Sequence, residues 1–193
     1  MEVAIVRYNA GNIQSLSYAL NRLGIEPIVS DDPDTLIKAN KVIFPGQGEA
    51  SSAMKYLRKA GLDKVIVDLK QPFLGICLGM QLMCESSEEN NTKGLGIIPA
   101  KVKKFSGTEK IPHMGWNTIE NPSGVLMNNV EAGEYLYFVH SYYVEENLYT
   151  TSASTYGAHF CVTLQKDNFY AIQPHPEKSA ATGLKILSNF LAI

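Results

Sequence analysis

Gln71-Pro72-Phe73-Leu74-Gly75-Ile76-Cys77-Leu78-Gly79-Met80-Gln81 runs from an apolar strand through a glycine-flanked cysteine into a helix predicted over Leu78 to Glu85. The pattern reads as a nucleophile elbow. In such strand-turn-helix junctions small residues let the backbone pass close to its neighbours, and the nucleophile stands at the apex. Gly75 and Gly79 meet that need around Cys77, and the amides and dipole of the following helix favour a thiolate there. A glycine-flanked cysteine also fits plain packing, because free cysteine is among the most buried residue types.

A second stretch weighs against packing alone. Gln173-Pro174-His175-Pro176-Glu177-Lys178-Ser179 sets a histidine and a carboxylate two positions apart around a proline. Pro176 biases His175 toward an extended conformation, and alternation along an extended chain sends His175 and Glu177 to one side. Glu177 then holds one imidazole tautomer while the other ring nitrogen serves a cysteine. The same residues also fit a rigid surface turn, which the elbow disfavours.

The first half of the chain alternates strand and helix. Val3 to Val6 is a buried-strand run, followed by the turn Tyr8-Asn9-Ala10-Gly11. Asn12 caps a helix whose Ile13, Leu16, Leu20 and Leu23 recur at helical spacing, and Gly24 stops it. Ile25 to Val29 and Val42 to Phe44 are predicted strands flanking a short helix over Thr35 to Ala39, and Ser52 to Leu69 holds two helical segments split at Gly61. The fold class is therefore α/β: a doubly wound, mostly parallel sheet with helices on both faces, whose ligands gather at the carboxyl ends of its strands. Glu85 to Asn91 is polar and predicted as surface loop. Beyond Gly94 come short strands, Gly96 to Phe105, Glu134 to Val144, Tyr149 to Ser154, Phe160 to Gln165 and Phe169 to Gln173, before a last helix over Ser179 to Leu191. This appended mixed and antiparallel β region returns His175 to the elbow.

With 193 residues, 45% hydrophobic and 19% charged, the chain suits one domain over residues 1–193. A formal charge of −2 gives no pull toward nucleic acid or anionic membrane. The start of the chain has no basic region followed by an apolar leader, and no apolar run approaches a membrane span, so a cytoplasmic location is expected. Cys77, Cys84 and Cys161 show no metal-ligand spacing, and Cys84 and Cys161 read as reduced core residues. No metal and no cofactor are expected. His113, His140 and His159 read as structural, since only His175 has a carboxylate at a useful spacing.

In Pro45-Gly46-Gln47-Gly48-Glu49 two glycines leave backbone N–H groups free to face a developing oxyanion, although an ordinary turn before a helix has the same composition. Pro112, Met114 and Trp116 form an aromatic and apolar stretch between polar segments, fitting either an interface anchor or a core tryptophan.

The elbow Gly75 to Gln81 together with His175-Pro176-Glu177 resembles the class I (triad) glutamine amidotransferases. Pro112-His113-Met114-Gly115-Trp116-Asn117 and Tyr137-Phe138-Val139-His140-Ser141-Tyr142 are similar to stretches of those glutaminase subunits of the family that serve histidine biosynthesis, and the resemblance covers essentially the whole chain. It implies a catalytic triad of Cys77, His175 and Glu177, and an oxyanion hole from the amides of Gln47 or Gly48 and of Leu78. It also implies L-glutamine bound beside Gln81, Glu89, Ser141 and Tyr142. The implied partner is a (β/α)₈ barrel cyclase subunit, bound as a heterodimer through Asn12, Pro112, Met114, Trp116, Tyr137 and Lys178, which receives the ammonia. Gln47 departs from the resemblance, because the family usually carries a small or apolar residue there. Two other readings share parts of the pattern: a glutaminase serving pyridoxal phosphate synthesis, and a redox-sensing or chaperone-like α/β protein. The first is disfavoured by Pro112 to Asn117, the second by the His-x-Glu pair.

Overall fold

The computed structural model describes residues 1–9 and 12–193; Ala10 and Gly11, within the turn predicted over Tyr8 to Gly11, lie outside them. Thirteen strands and six helices are described: β1 Val3–Val6, α1 Ile13–Arg22, β2 Ile28–Ser30, α2 Pro33–Lys38, β3 Lys41–Phe44, α3 Ala50–Lys59, α4 Leu62–Asp68, β4 Phe73–Ile76, α5 Leu78–Met83, β5 Cys84–Ser87, β6 Thr92–Lys93, β7 Ile98–Lys104, β8 His113–Thr118, β9 Tyr135–His140, β10 Tyr142–Val144, β11 Thr150–Tyr156, β12 Ala158–Lys166, β13 Phe169–Ile172 and α6 Ala180–Ala192. Asn12 caps α1 by accepting from the Ser15 N–H, and Gly61 joins α3 to α4 at φ +71, a conformation that favours glycine.

The main sheet has the order β11-β12-β13-β4-β3-β1-β2. Its β2, β1, β3, β4 and β13 run parallel, while β12 and β11 extend it antiparallel. Ala4, Val6, Val42, Phe44 and Phe73 pack on one face with Leu36, Leu57 and Ile66 of α2, α3 and α4. Val3, Ile5, Ile43, Leu74 and Ile76 pack on the other with Leu16 and Leu20 of α1 and Ile186 and Phe190 of α6. Helices thus cover both faces, and strands buried on both sides carry the continuous apolar runs that the sequence shows. Cys84 and Cys161 are buried and unpaired. Among the described residues no helix is long and apolar enough to cross a membrane.

Several expectations are corrected. The helix predicted to Glu85 ends at Met83, and part of the predicted loop is strand β5, parallel to β7 in a second sheet of order β10-β7-β5-β6. Cys84 and Ser87 of β5 are buried while Glu85 is exposed, so the strand is stabilised by its pairing rather than by an apolar run. The strand predicted over Ile25 to Val29 is Ile28–Ser30, and the long strand over Glu134 to Val144 is split at Ser141. His113–Thr118, given no strand from sequence, pairs antiparallel with β9 as a separate two-stranded ribbon.

Candidate active site

Cys77 sits between β4 and α5 with φ +50 and ψ −108. A non-glycine residue held there costs on the order of 1–3 kcal/mol and persists where its surroundings enforce it. They do so through backbone contacts that only glycine permits. A Cβ on Gly79 would lie 2.2 Å from the Phe44 carbonyl oxygen, and one on Gly46 would lie 1.8 Å from Ile76 O and 2.4 Å from the Leu78 nitrogen. The exit of β3 is therefore packed backbone to backbone against the elbow. The Cys77 N–H donates to Ile172 O at 2.8 Å, tying the apex to β13, the strand that leads into His175.

His175 follows β13 in an extended conformation, as Pro176 dictates. Glu177 reaches it by another route than strand alternation: Pro176–Lys178 forms a 3-10 turn that folds the carboxylate back. Nδ1 of His175 lies 2.8 Å from Oε1 of Glu177, with the side chains 1% and 3% exposed. That contact gives Nδ1 the hydrogen, while Nε2 is buried without a hydrogen-bond partner. Burial opposes a charge on His175, but the sulfur of Cys77 and the carboxylate of Glu177 outweigh it and push the pKa up to about 10. His175 thus holds its proton at neutral pH. Its main chain is clamped too: its N–H donates to Tyr137 O at 2.9 Å, and the Ser179 hydroxyl donates to its carbonyl at 2.6 Å while accepting the Tyr137 N–H at 2.9 Å.

Cys77 and His175 open onto a cavity of about 350 Å³. One wall is the loop Gly46, Gln47 and Gly48 with Leu78; Gly48 has φ +133, so the loop takes a turn that glycine favours. Gln81, Glu89, Ser141 and Tyr142 also line the cavity. Oε2 of Glu89 accepts the Ala50 N–H at 2.8 Å. Burial raises the pKa of Glu89, the Ala50 bond lowers it, and the Glu49 charge raises it again, for a net rise. Glu49 is its opposite: burial is outweighed by donors from Asn90, Ser51 and Ser52 that hold it at about 2. A half-buried carboxylate beside a second acid suits a cationic group, such as the α-ammonium of an amino acid.

All the triad, oxyanion and substrate residues expected from sequence line this cavity except Glu177, which stands behind His175. The interface residues divide. Pro112 lines the cavity. Met114 and Trp116 lie on the outward face of the β8–β9 ribbon, 62% and 52% exposed, with the Trp116 and Tyr137 rings 5.9 Å apart edge to face. Trp116 is thus not a core tryptophan. Asn12 and Lys178 are half-buried.

A buried polar chain goes unmarked in the sequence. Nδ1 of His113 lies 2.9 Å from Nε2 of His140, and Nδ1 of His140 lies 2.8 Å from Tyr142 O. A carbonyl only accepts, so His140 donates from Nδ1 and accepts from His113. Burial pushes the pKa of His113 down to about 4 and that of His140 down to about 3, leaving both neutral. Gln173, fully buried, joins Gln81 to Cys77. No local sequence signal marks a contact between residues 92 positions apart.

The family model described as Glutamine amidotransferase class-I matches residues 5–193. The chain is 50% identical over 196 residues to the imidazole glycerol phosphate synthase subunit HisH of Bacteroides fragilis strain YCH46, covering all of both chains. It is 44% identical over 201 residues to subunit HisH 1 of the same synthase from Methanococcus maripaludis, covering 99% of each. Among solved structures, one described as a glutamine amidotransferase aligns with a TM-score of 0.77 at 18% identity, over 98% of this chain and 97% of that one. The structure of PurLQS from Thermotoga maritima aligns with a TM-score of 0.70 at 18% identity, over 99% of this chain and 97% of that one.

Proposed function

This chain belongs to the class I glutamine amidotransferases, and from that premise we propose that it is the glutaminase subunit of imidazole glycerol phosphate synthase in histidine biosynthesis. The observation that carries the reading is the strained Cys77 apex sharing a cavity with His175, whose other nitrogen is held by Glu177 at 2.8 Å. The 193 residues act as one glutaminase domain.

L-Glutamine lies with its α-ammonium toward Glu89 and its side-chain amide at Cys77. The sulfur attacks the amide carbon, and the resulting oxyanion is met by backbone N–H groups of Leu78 and of the Gln47–Gly48 loop. His175 passes its proton to the amide nitrogen, the C–N bond breaks, and ammonia leaves a γ-glutamyl thioester. Neutral His175 then takes a proton from water, whose oxygen attacks the thioester carbon. Glutamate departs and the proton returns to the Cys77 and His175 pair. Glu177 keeps the imidazole in one tautomer throughout.

The ammonia passes to a cyclase subunit of (β/α)₈ barrel form in a heterodimer, with Met114, Trp116 and Tyr137 as its docking face and Asn12 and Lys178 beside the passage. Full-length identity of 50% to a protein named as a subunit of that synthase supports this assignment. The test is a reconstituted complex with Cys77→Ala. Glutamine-dependent synthesis is expected to vanish while synthesis from ammonium salts persists. Equal loss of both activities would overturn the division of labour.

A further inference from the structure

Gln173 is fully buried, and a buried amide without partners costs more than an apolar side chain of the same shape. Its bonds run to the reacting atom. Nε2 donates to Cys77 Sγ at 3.5 Å, and Oε1 accepts from Gln81 Nε2 at 3.0 Å. The second N–H of that Gln81 amide goes to Tyr142 O at 2.9 Å. The direction of every bond follows from its far end. Tyr142 O can only accept, so Gln81 must present its NH₂ group there; Gln173 must then turn its oxygen toward Gln81 and its NH₂ toward the sulfur. Rotating the Gln81 amide would set two acceptors face to face, and rotating that of Gln173 two donors. His140 donates to the same Tyr142 carbonyl, which anchors the chain at its start.

We infer that Gln173 is a further catalytic residue, whose amide N–H steadies the thiolate of Cys77 and couples the sulfur to Gln81 in the glutamine-binding wall. The inference rests on the glutaminase reading and deepens it. A hydrogen bond to a charged acceptor favours the ion over the neutral thiol and fixes where its charge points. His175 supplies the positive charge on one side of the sulfur; Gln173 supplies a neutral donor that cannot carry the proton away. Glutamine seated against Gln81 therefore bears on a side chain already bonded to the nucleophile's partner.

The experiment measures the pH dependence of iodoacetamide alkylation of Cys77 by mass spectrometry in the full-length chain, for wild type, Gln173→Met and Gln173→Glu. Cys84 and Cys161 are fully buried, so the reaction reports Cys77. Gln173→Met keeps the length and removes the donor; its midpoint is expected to rise by about one pH unit, and kcat for glutamine to fall by about ten- to a hundredfold, the size of a bond to a charged group. Gln173→Glu sets a carboxylate beside the sulfur, and its midpoint is expected to rise further. If Gln173→Met does not fold, the Gln173→Glu midpoint, measured on protein that unfolds at the wild-type temperature, decides alone. An unchanged midpoint in a folded variant overturns the inference, whatever happens to KM. Absence of glutaminase activity in the wild-type complex would instead overturn the functional reading and leave the alkylation result standing.

Discussion

The carbonyl of Tyr137 accepts the backbone N–H of His175 at 2.9 Å, while the Tyr137 ring packs edge to face with Trp116 on an exposed surface. One residue thus touches both His175 of the proposed triad and the proposed docking face. Strand β9 joins the two because its side chains alternate: Leu136, Phe138 and His140 point into the core, and Tyr135, Tyr137 and Val139 face outward.

Replacing His175 with Ala is expected to cost glutamine hydrolysis as much as Cys77→Ala, because nucleophile and base act as a unit. Glu177→Gln should cost less. The Tyr137 and Ser179 bonds hold the His175 main chain independently of the carboxylate. Steady-state glutaminase rates of the complex check the ranking, and an equal loss for Glu177→Gln would show that the carboxylate does more than orient.

Glu89→Gln keeps the shape and the bond from Ala50 but removes the negative charge facing the cavity. KM for glutamine is expected to rise by about ten- to a hundredfold, the worth of a charge-assisted bond, with kcat largely kept. A variant with unchanged KM would remove Glu89 from the substrate contact.

The acid limb of stability should carry the signature of the histidine pair. His113 and His140 titrate near 4 and 3 in the fold, below the ordinary 6.5. Between pH 6.5 and about 4 the unfolded chain therefore binds more protons, so their contribution is full above 6.5 and is lost as pH falls. Each gives a slope of up to about 1.4 kcal/mol per pH unit in that window. His175, raised to about 10, acts in the opposite sense: its contribution is present below 6.5 and is lost as pH rises toward 10. Urea unfolding of His113→Gln across pH 4 to 7 should show a shallower acid slope than wild type, and identical slopes would mean that the pair does not stay neutral.

The parallel core was legible because buried strands such as Val3–Val6 and Phe73–Ile76 carry apolar residues on both faces. Cys77 and His175-Pro176-Glu177 were legible as compact motifs. Strand β5 was not, since Glu85 and Ser86 look like solvent and only pairing with β7 stabilises an extended chain there. Strand β8 hid for the converse reason: its alternation is inverted, with apolar Met114 and Trp116 on the outward face and polar His113 and Asn117 on the inward one, and Gly115 at φ +138 breaks the run. The Tyr142, Gln81 and Gln173 chain exists only once β10, α5 and the end of β13 meet, which no local pattern encodes.

Docking of the proposed barrel partner is expected to raise glutamine hydrolysis, by a route through Tyr137. Exposed aromatic residues of the β8–β9 ribbon make it the kind of patch that anchors an interface. Pressure on Trp116 reaches the Tyr137 ring, and the Tyr137 main chain holds both His175 N–H and Ser179 Oγ. Across the cavity, Gly46 and Gly48 leave the Gln47 loop able to turn a peptide toward or away from the oxyanion, and one such donor is worth about 100- to 1000-fold in rate. Addition of the liganded partner should therefore accelerate glutaminase turnover by at least about 100-fold at saturating glutamine. Trp116→Ala should weaken that acceleration while leaving the unfolding midpoint of the isolated chain nearly unchanged, because a side chain 52% exposed contributes little to the core. Equal turnover with and without the partner, or a Trp116→Ala chain that loses stability in proportion to activity, would sever the docking face from the triad.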